Sequence, residues 1–314
     1  MKTHLDCVPC IIRQSLDSAR LLTDNEEIHE QILREVLEAA SRMDLEKSPP
    51  VMAQTIHRRL RELTGQADPY RKAKDRFNRL ALHLLAKYRP QMEQAENPLE
   101  IAVRLAIAGN IIDLGVKSGL DEQEVVDSIE TCLIDPLEGS VGELAAAIAD
   151  ARSILYLTDN AGEVVFDRLL IEQLPRERVV VAVKGAPVIN DATLVDAEAA
   201  GLTELVRVID NGSDAPGTVL EDCSPEFRAH FEKADLIISK GQGNYETLGE
   251  STRPIFFLLR VKCPVVARDT ECPVGRMLLT STKRRNPTVL IDGLSNDGRE
   301  AEDGTAGPEA ITQP

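Results

Sequence analysis

The sequence predicts an α/β protein: a parallel-sheet, three-layer domain with a largely α-helical N-terminal subdomain. Two observations predict it. From Ser153 onward, apolar runs of strand length alternate with helical stretches, the pattern of parallel strands joined by right-handed crossovers. Before that point, apolar residues recur at helical spacing. The expected divisions are residues 1–151 (helical), 152–291 (α/β) and 292–314, an acidic tail with too few apolar residues to order itself.

In the first half, Ile11, Ile12, Leu16, Ala19 and Leu22 mark one helix, and Ile28, Ile32, Val36, Ala39 and Ala40 mark a second. Pro49-Pro50 closes the second, and a third runs from Val51 to Leu63 until Gly65 stops it. Asp68-Pro69-Tyr70 opens a helix through Phe77, Leu80, Leu84 and Leu85, with proline early, where its missing N–H costs nothing. Pro98 opens the next, Leu99 to Leu114, followed by helices near Glu122–Thr131 and Val141–Ala151.

The Leu99 helix is apolar on nearly every side yet carries Asn110 and Asp113. Such a helix is buried, and a buried polar group left unpaired costs about 1–3 kcal/mol. The pair therefore needs partners. Either it bonds locally at a helix end, or it faces a cleft in the second half.

In the second half, strands are expected at Ile154–Leu157, Val179–Val183, Leu205–Ile209, Leu236–Ile238 and Ile255–Val261, with Val265-Val266-Ala267 as a small extra strand. Helices fall at Val164–Leu174, Leu194–Ala200, Pro225–Ala234 and Tyr245–Glu250. Every main strand ends in polar residues: Asp159-Asn160, Lys184 with Asn190-Asp191, Asp210-Asn211, Lys240 with Asn244, and Lys262. One such ending is ordinary. An Asp after a strand usually caps a helix, a Lys there is usually solvated, and Asp210-Asn211-Gly212 is turn chemistry first. Five in succession share one edge, outside the carboxyl ends of the strands, where α/β sheets bind ligands.

The residue types agree with one chemistry. Two carboxylates and an amide oxygen are hard donors suited to Mg²⁺ or Mn²⁺. Lysines supply charge for an anion, and Gly241-Gln242-Gly243 lets backbone amides approach phosphate oxygens. The inventory points to phosphate hydrolysis by an oriented water, with Asp159 or Asp191 as its base. An aspartyl-phosphate route through Asp159 is also open.

A net charge of -16, 3% aromatic residues and no Trp argue against a nucleic-acid partner. No apolar run approaches the roughly 20 residues that cross a bilayer, and the first residues lack the apolar core of a signal peptide, so a cytoplasmic protein without a membrane partner is expected. Of six cysteines only Cys7 and Cys10 lie close in sequence. They read as small apolar residues at a helix start, a redox pair, or half a soft-metal site completed by His4 or Cys272.

Thr158-Asp159-Asn160-Ala161-Gly162-Glu163, Asn190-Asp191-Ala192-Thr193, Lys240-Gly241-Gln242-Gly243-Asn244-Tyr245 and the Lys262-Cys263-Pro264 region resemble the metal-dependent damage-control phosphatases, once catalogued as a domain of unknown function. Cys7-Val8-Pro9-Cys10 together with Ala108-Gly109-Asn110-Ile111-Ile112-Asp113 is similar to their prokaryotic CxxC-bearing subfamily. The resemblance spans about residues 1–290. It implies hydrolysis of a small phosphorylated metabolite, a sugar phosphate or related phosphomonoester, with Mn, Co, Ni or Mg as the divalent metal. It implies Asp159, Asn160 and Asp191 as metal ligands, with Asp159 and Asp191 catalytic. Glu163, Lys240, Gly241, Asn244 and Lys262 match substrate contacts, with Asn110 and Asp113 facing them. Where eukaryotic members carry Arg-Thr-x-Lys, this chain has Leu259-Arg260-Val261-Lys262 and keeps only the lysine. The competing expectations are a phosphometabolite-binding protein without turnover and a carboxyl methyltransferase. No glycine-rich nucleotide fingerprint follows the first strand to support the latter.

Overall fold

The computed structural model describes residues 1–110 and 122–282. Helices α1 (Cys7–Leu22), α2 (Glu26–Ser41) and α3 (Pro49–Thr64) come first. Pro49 and Pro50 open α3, with Ser48 ahead of them, and Gly65 ends it in the left-handed conformation at φ 65°. Then come α4 (Arg71–Glu93), α5 (Pro98–Ala108), α6 (Glu122–Ile134), a two-residue strand β1 (Leu137–Glu138) and α7 (Val141–Asp150). Asn97 caps α5 by accepting from the Glu100 N–H at 3.3 Å. Asp113 and the 292–314 tail lie outside the described residues.

The alternating half follows as β2 (Ile154–Leu157), α8 (Glu163–Glu172), β3 (Val179–Val183), α9 (Leu194–Ala199), β4 (Arg207–Asp210), α10 (Pro225–Lys233), β5 (Leu236–Lys240), α11 (Gln242–Leu248), β6 (Ile255–Arg260), α12 (Pro264–Thr270) and β7 (Met277–Ser281). The seven strands form one sheet in the order β1-β7-β6-β5-β2-β3-β4. All pairs are parallel except β6 with β7.

Several local readings change: Pro49-Pro50, expected to close the second helix, instead opens α3, because α2 already ends at Ser41. Val265-Val266-Ala267 is helix, because Pro264 occupies the first turn and the Cys263 thiol accepts from the Val266 N–H at 3.5 Å. The parallel sheet gains an antiparallel edge through β7, a short apolar run that periodicity alone does not separate from helix.

The sheet is buried on both faces, and strand alternation sorts its side chains between them. Ile154, Tyr156, Val181, Ile238 and Leu258 join a cluster with α4 to α8, including Phe77, Leu105, Ile129 and Phe166. Leu155, Leu157, Ile237 and Phe257 face the other way, onto Phe227, Phe231, Tyr245 and Val266 of α10 to α12. A third cluster, centred on Ile32, Ile56 and Leu60, belongs to α1–α3 alone.

A buried ion pair fastens α4 to α9. Lys74 and Asp196 are both fully buried, with Nζ 2.8 Å from Oδ2. Asp196 also takes Arg71 at 2.7 Å and the Thr193 N–H at 2.9 Å. Burial by itself would raise this carboxyl, but Lys74, the Thr193 N–H and Arg71 outweigh it and hold the pKa at about 2.

A folded-state pKa below the unfolded value of about 3.9 means stability that is fully present above about pH 4 and lost as the pH falls towards 2. Asp196→Asn is expected to destabilise the protein by about 3–5 kcal/mol at pH 7, because the buried Lys74 keeps only the longer, 3.6 Å contact to Asp68. The deficit should shrink between pH 4 and 3 in urea titrations run at each pH.

Candidate active site

Chain direction makes the site. From β2 the chain moves to β3 and β4 on one side, then returns to β5 on the other side of β2 and continues to β6. The carboxyl ends of β2 and β5 therefore flank the switch point of a doubly wound sheet, the crevice where such folds bind ligands. Leaving β2, Thr158-Asp159-Asn160 pairs with the loop after β3. The Ala192 N–H donates to the Asp159 carbonyl at 2.8 Å, and Asn160 bridges Asp191 in antiparallel fashion. Backbone pairing thus brings Asp159, Asn160 and Asp191 together although they come from different strand ends.

The side chains are buried and tightly bonded. Asn160 Nδ2 donates to Asp159 Oδ2 at 2.7 Å and to Glu163 Oε2 at 3.1 Å. From the turn after α5, Asn110 Nδ2 donates to the same two oxygens at 3.0 and 2.6 Å. Asn110 thus faces the second half of the chain. Asn78 of α4 reaches the same turn, its Oδ1 accepting from the Gly162 N–H at 2.7 Å. Burial raises the Asp159 carboxyl well above its ordinary pKa, and the carboxylates of Glu163 and Asp191 push the same way against Lys262 and Lys184. Asp191 lies 3.5 Å from the Lys184 ammonium, which also donates to the Gly217 carbonyl.

Hard oxygen donors crowded until their charges repel are a fitting setting for a divalent cation. Among the described residues no three His, Cys, Asp or Glu side chains gather to hold an ion. The third donor beside Asp159 and Asp191 would be the Asn160 amide.

Three expected substrate groups sit differently. Lys240 is fully buried, and its ammonium donates to Glu163 at 2.7 Å, Asp167 at 2.6 Å and the Ala106 carbonyl at 2.8 Å. Its three protons are spent inside the protein. Asn244 is also an internal brace: Nδ2 donates to the carbonyls of Thr158 and Lys240 at 3.1 and 2.8 Å, and Oδ1 accepts from Thr218 at 2.7 Å. Gly241 does allow a close approach, but to Asp159: a Cβ there would lie 2.0 Å from Asp159 Oδ2. Lys262 stays half-buried at the end of β6, its N–H held by Gln242 Oε1 at 3.0 Å. Asn211 makes a turn, its Oδ1 accepting from the N–H groups of Gly185 and Ser213 at 3.0 and 2.9 Å.

The sequence reading passed over Asp167 and Tyr156. Tyr156 donates to Asp167 Oδ1 at 2.8 Å beneath Lys240. Burial pushes the Asp167 carboxyl up to about 6 even with the Lys240 charge beside it. A signal was present: Asp167 is the lone acid within Val164-Val165-Phe166-Asp167-Arg168-Leu169-Leu170, one turn beyond Glu163.

Carboxylates, amides and ammonium groups gathered at the switch point of a doubly wound sheet define an α/β protein. The model of the damage-control phosphatase ARMT1-like domain matches residues 3–278, and the chain belongs to that family. It is 37% identical over 297 residues to an uncharacterized protein of Methanocaldococcus jannaschii, covering 89% of this chain and 95% of that one. It is 35% identical over 286 residues to a damage-control phosphatase of Archaeoglobus fulgidus, covering 88% and 98%. The crystal structure of a DUF89 family protein from Pyrococcus horikoshii superposes with a TM-score of 0.83 at 34% identity, over 90% of this chain and 100% of that one.

Gly241 adopts φ 81° and ψ 163°, a conformation open essentially to glycine alone. Gly241→Ala is expected to cost about 1–3 kcal/mol in denaturant titration from backbone strain, and to displace the Asp159 carboxylate that its Cβ would strike.

Proposed function

We propose that this protein is a metal-dependent phosphatase acting on small phosphorylated metabolites, sugar phosphates or related phosphomonoesters, in metabolite damage control. The observation that carries the reading is the buried convergence of Asp159, Asn160 and Asp191 at the switch point, with Lys184 and Lys262 beside it. Family membership supports the phosphatase class. Asp159, Asp191 and the Asn160 amide would hold Mn²⁺, Co²⁺, Ni²⁺ or Mg²⁺. Such an ion, when bound, polarises a phosphoryl oxygen and neutralises charge developing on it.

The chain's own groups do the rest. Lys262, half-buried at the rim, meets the equatorial oxygens of the phosphoryl group. Asp159 in its ionised form, made a stronger base by burial and by the neighbouring Glu163 and Asp191 carboxylates, accepts the proton of the attacking water, and Asp191 is the second candidate base. The hydrogen bonds from Asn110 and Asn160 hold the Asp159 carboxylate in one orientation, so little reorganisation is required during reaction.

The test is release of nitrophenol from p-nitrophenyl phosphate with each metal and after chelation. Asp159→Ala and Asp191→Ala are each expected to lower turnover by at least about 100-fold, with circular dichroism unchanged. Full turnover in either purified variant overturns the assignment. Ligand binding without release would instead indicate a sensor, and label transfer from S-adenosylmethionine a methyltransferase.

Lys262→Ala is expected to raise KM more than it lowers kcat, since it removes a charge already meeting the phosphate in the ground state. Steady-state kinetics on the same substrate reads the difference.

A further inference from the structure

We infer that Asp167, with Tyr156, is a positioning residue for the site: it holds Lys240, Lys240 holds Glu163, and Glu163 sets the direction of the Asn110 and Asn160 amides. Every link is a short contact between buried groups. Tyr156 donates to Asp167 Oδ1 at 2.8 Å, and Lys240 donates to the same oxygen at 2.6 Å. Lys240 also donates to Glu163 Oε1 at 2.7 Å. The opposite oxygen of Glu163, Oε2, then receives Asn110 Nδ2 at 2.6 Å and Asn160 Nδ2 at 3.1 Å.

Direction follows from the chemistry of these groups. A carboxyl oxygen that carries no proton only accepts, so Glu163 Oε2 and Asp159 Oδ2 beside each amide draw its NH₂ toward them and leave its oxygen facing away. Asn110 and Asn160 each bridge Glu163 Oε2 to Asp159 Oδ2. The amide oxygen of Asn160 thereby faces away from both carboxylates. The orientation persists only while Glu163 is held in place, and Lys240 is the only cation with a hydrogen bond to Glu163 among the described residues. The Lys240 ammonium has three partners within 2.8 Å, so its charge reaches the site through Glu163 and not through contact with substrate. Among the described residues Asp167 is anchored through Oδ1; its buried Oδ2 has no hydrogen-bond partner there. The Tyr156 hydroxyl is therefore what fixes the carboxyl beneath Lys240.

Lys240→Met would strand two buried carboxylates and is not expected to fold. Asp167→Asn keeps shape and acceptor, and Tyr156→Phe removes a single donor, so these two carry the test. The kinetic half rests on the phosphatase reading. Asp167→Asn is expected to lower kcat by about 10- to 100-fold, the usual effect of losing a group that orients a ligand, with KM within about twofold of the parent. Tyr156→Phe should move in the same direction by less. A raised KM with unchanged kcat would mean that Lys240 meets substrate, and it overturns the inference. So does unchanged kinetics in both variants.

The second half needs no turnover. In ¹H–¹⁵N spectra, the side-chain NH₂ signals of Asn110 and Asn160, assigned by Asn110→Asp and Asn160→Asp, should shift in Asp167→Asn. Signals that stay in place overturn the inference whatever the enzyme does. A parent without phosphatase activity sinks the functional reading alone and leaves the amide signals to decide.

Discussion

An ammonium group that never meets water is the constraint on which the crevice depends. Lys240 ends β5 with its charge wholly inside the protein, where a charge is tolerated only if paired and hydrogen-bonded. Burial by itself would lower its pKa; the carboxylates of Asp167 and Glu163 more than reverse that and keep it protonated. Its three partners come from α8 twice and from the last turn of α5. One side chain therefore ties the sheet to two helices at the point where the polar turn after β2 must be held rigid. Breaking either carboxylate contact leaves a buried charge short of its partner, so one side chain couples the sheet to both helices.

How much of this was legible in the sequence depends on the range of the interaction. Asp159-Asn160 was readable because an apolar strand stops at two polar residues and a helix begins at once, all within ten residues. Strands β2 and β3 were legible to the residue for the same reason. Lys240 and Asn244 looked like anion binders because a polar group after a strand usually faces solvent. Their burial is decided by α5, by α8 and by Thr218, far away in sequence. Asp167 was hidden the other way round: a lone acid on an apolar helix looks like its solvent face until a lysine from β5 arrives beneath it. Strand β1, at two residues, has no pattern to read, and β7 is marked by its pairing with β1 and β6.

The helical half takes part in the site. Asn110 bonds the two central carboxylates, Ala106 accepts from Lys240, and Asn78 holds the Gly162 amide at the start of α8. Asn78 is itself steered by Asp196, to which its Nδ2 donates at 2.9 Å. The ion pair that fastens α4 to α9 thus also aims a hydrogen bond at the turn carrying Asp159. Helices α1–α3 are coupled differently: they keep their own apolar cluster and reach the loop after β4 through Arg58 and Arg61 on Asp214.

On the proposed function, selection of an anionic substrate must happen at short range. The chain's net charge of -16 repels a phosphate at a distance, but at physiological ionic strength that repulsion fades beyond about 8 Å. Inside that distance the crevice supplies Lys184 and Lys262, both close enough to pull down the pKa of Asp159. Lys184 is anchored to Asp191 and the Gly217 carbonyl, whereas Lys262 is half-buried at the rim. Both cations thus lie within reach of a substrate bound beside Asp159, and the chain's net negative charge favours small ligands over extended polyanions.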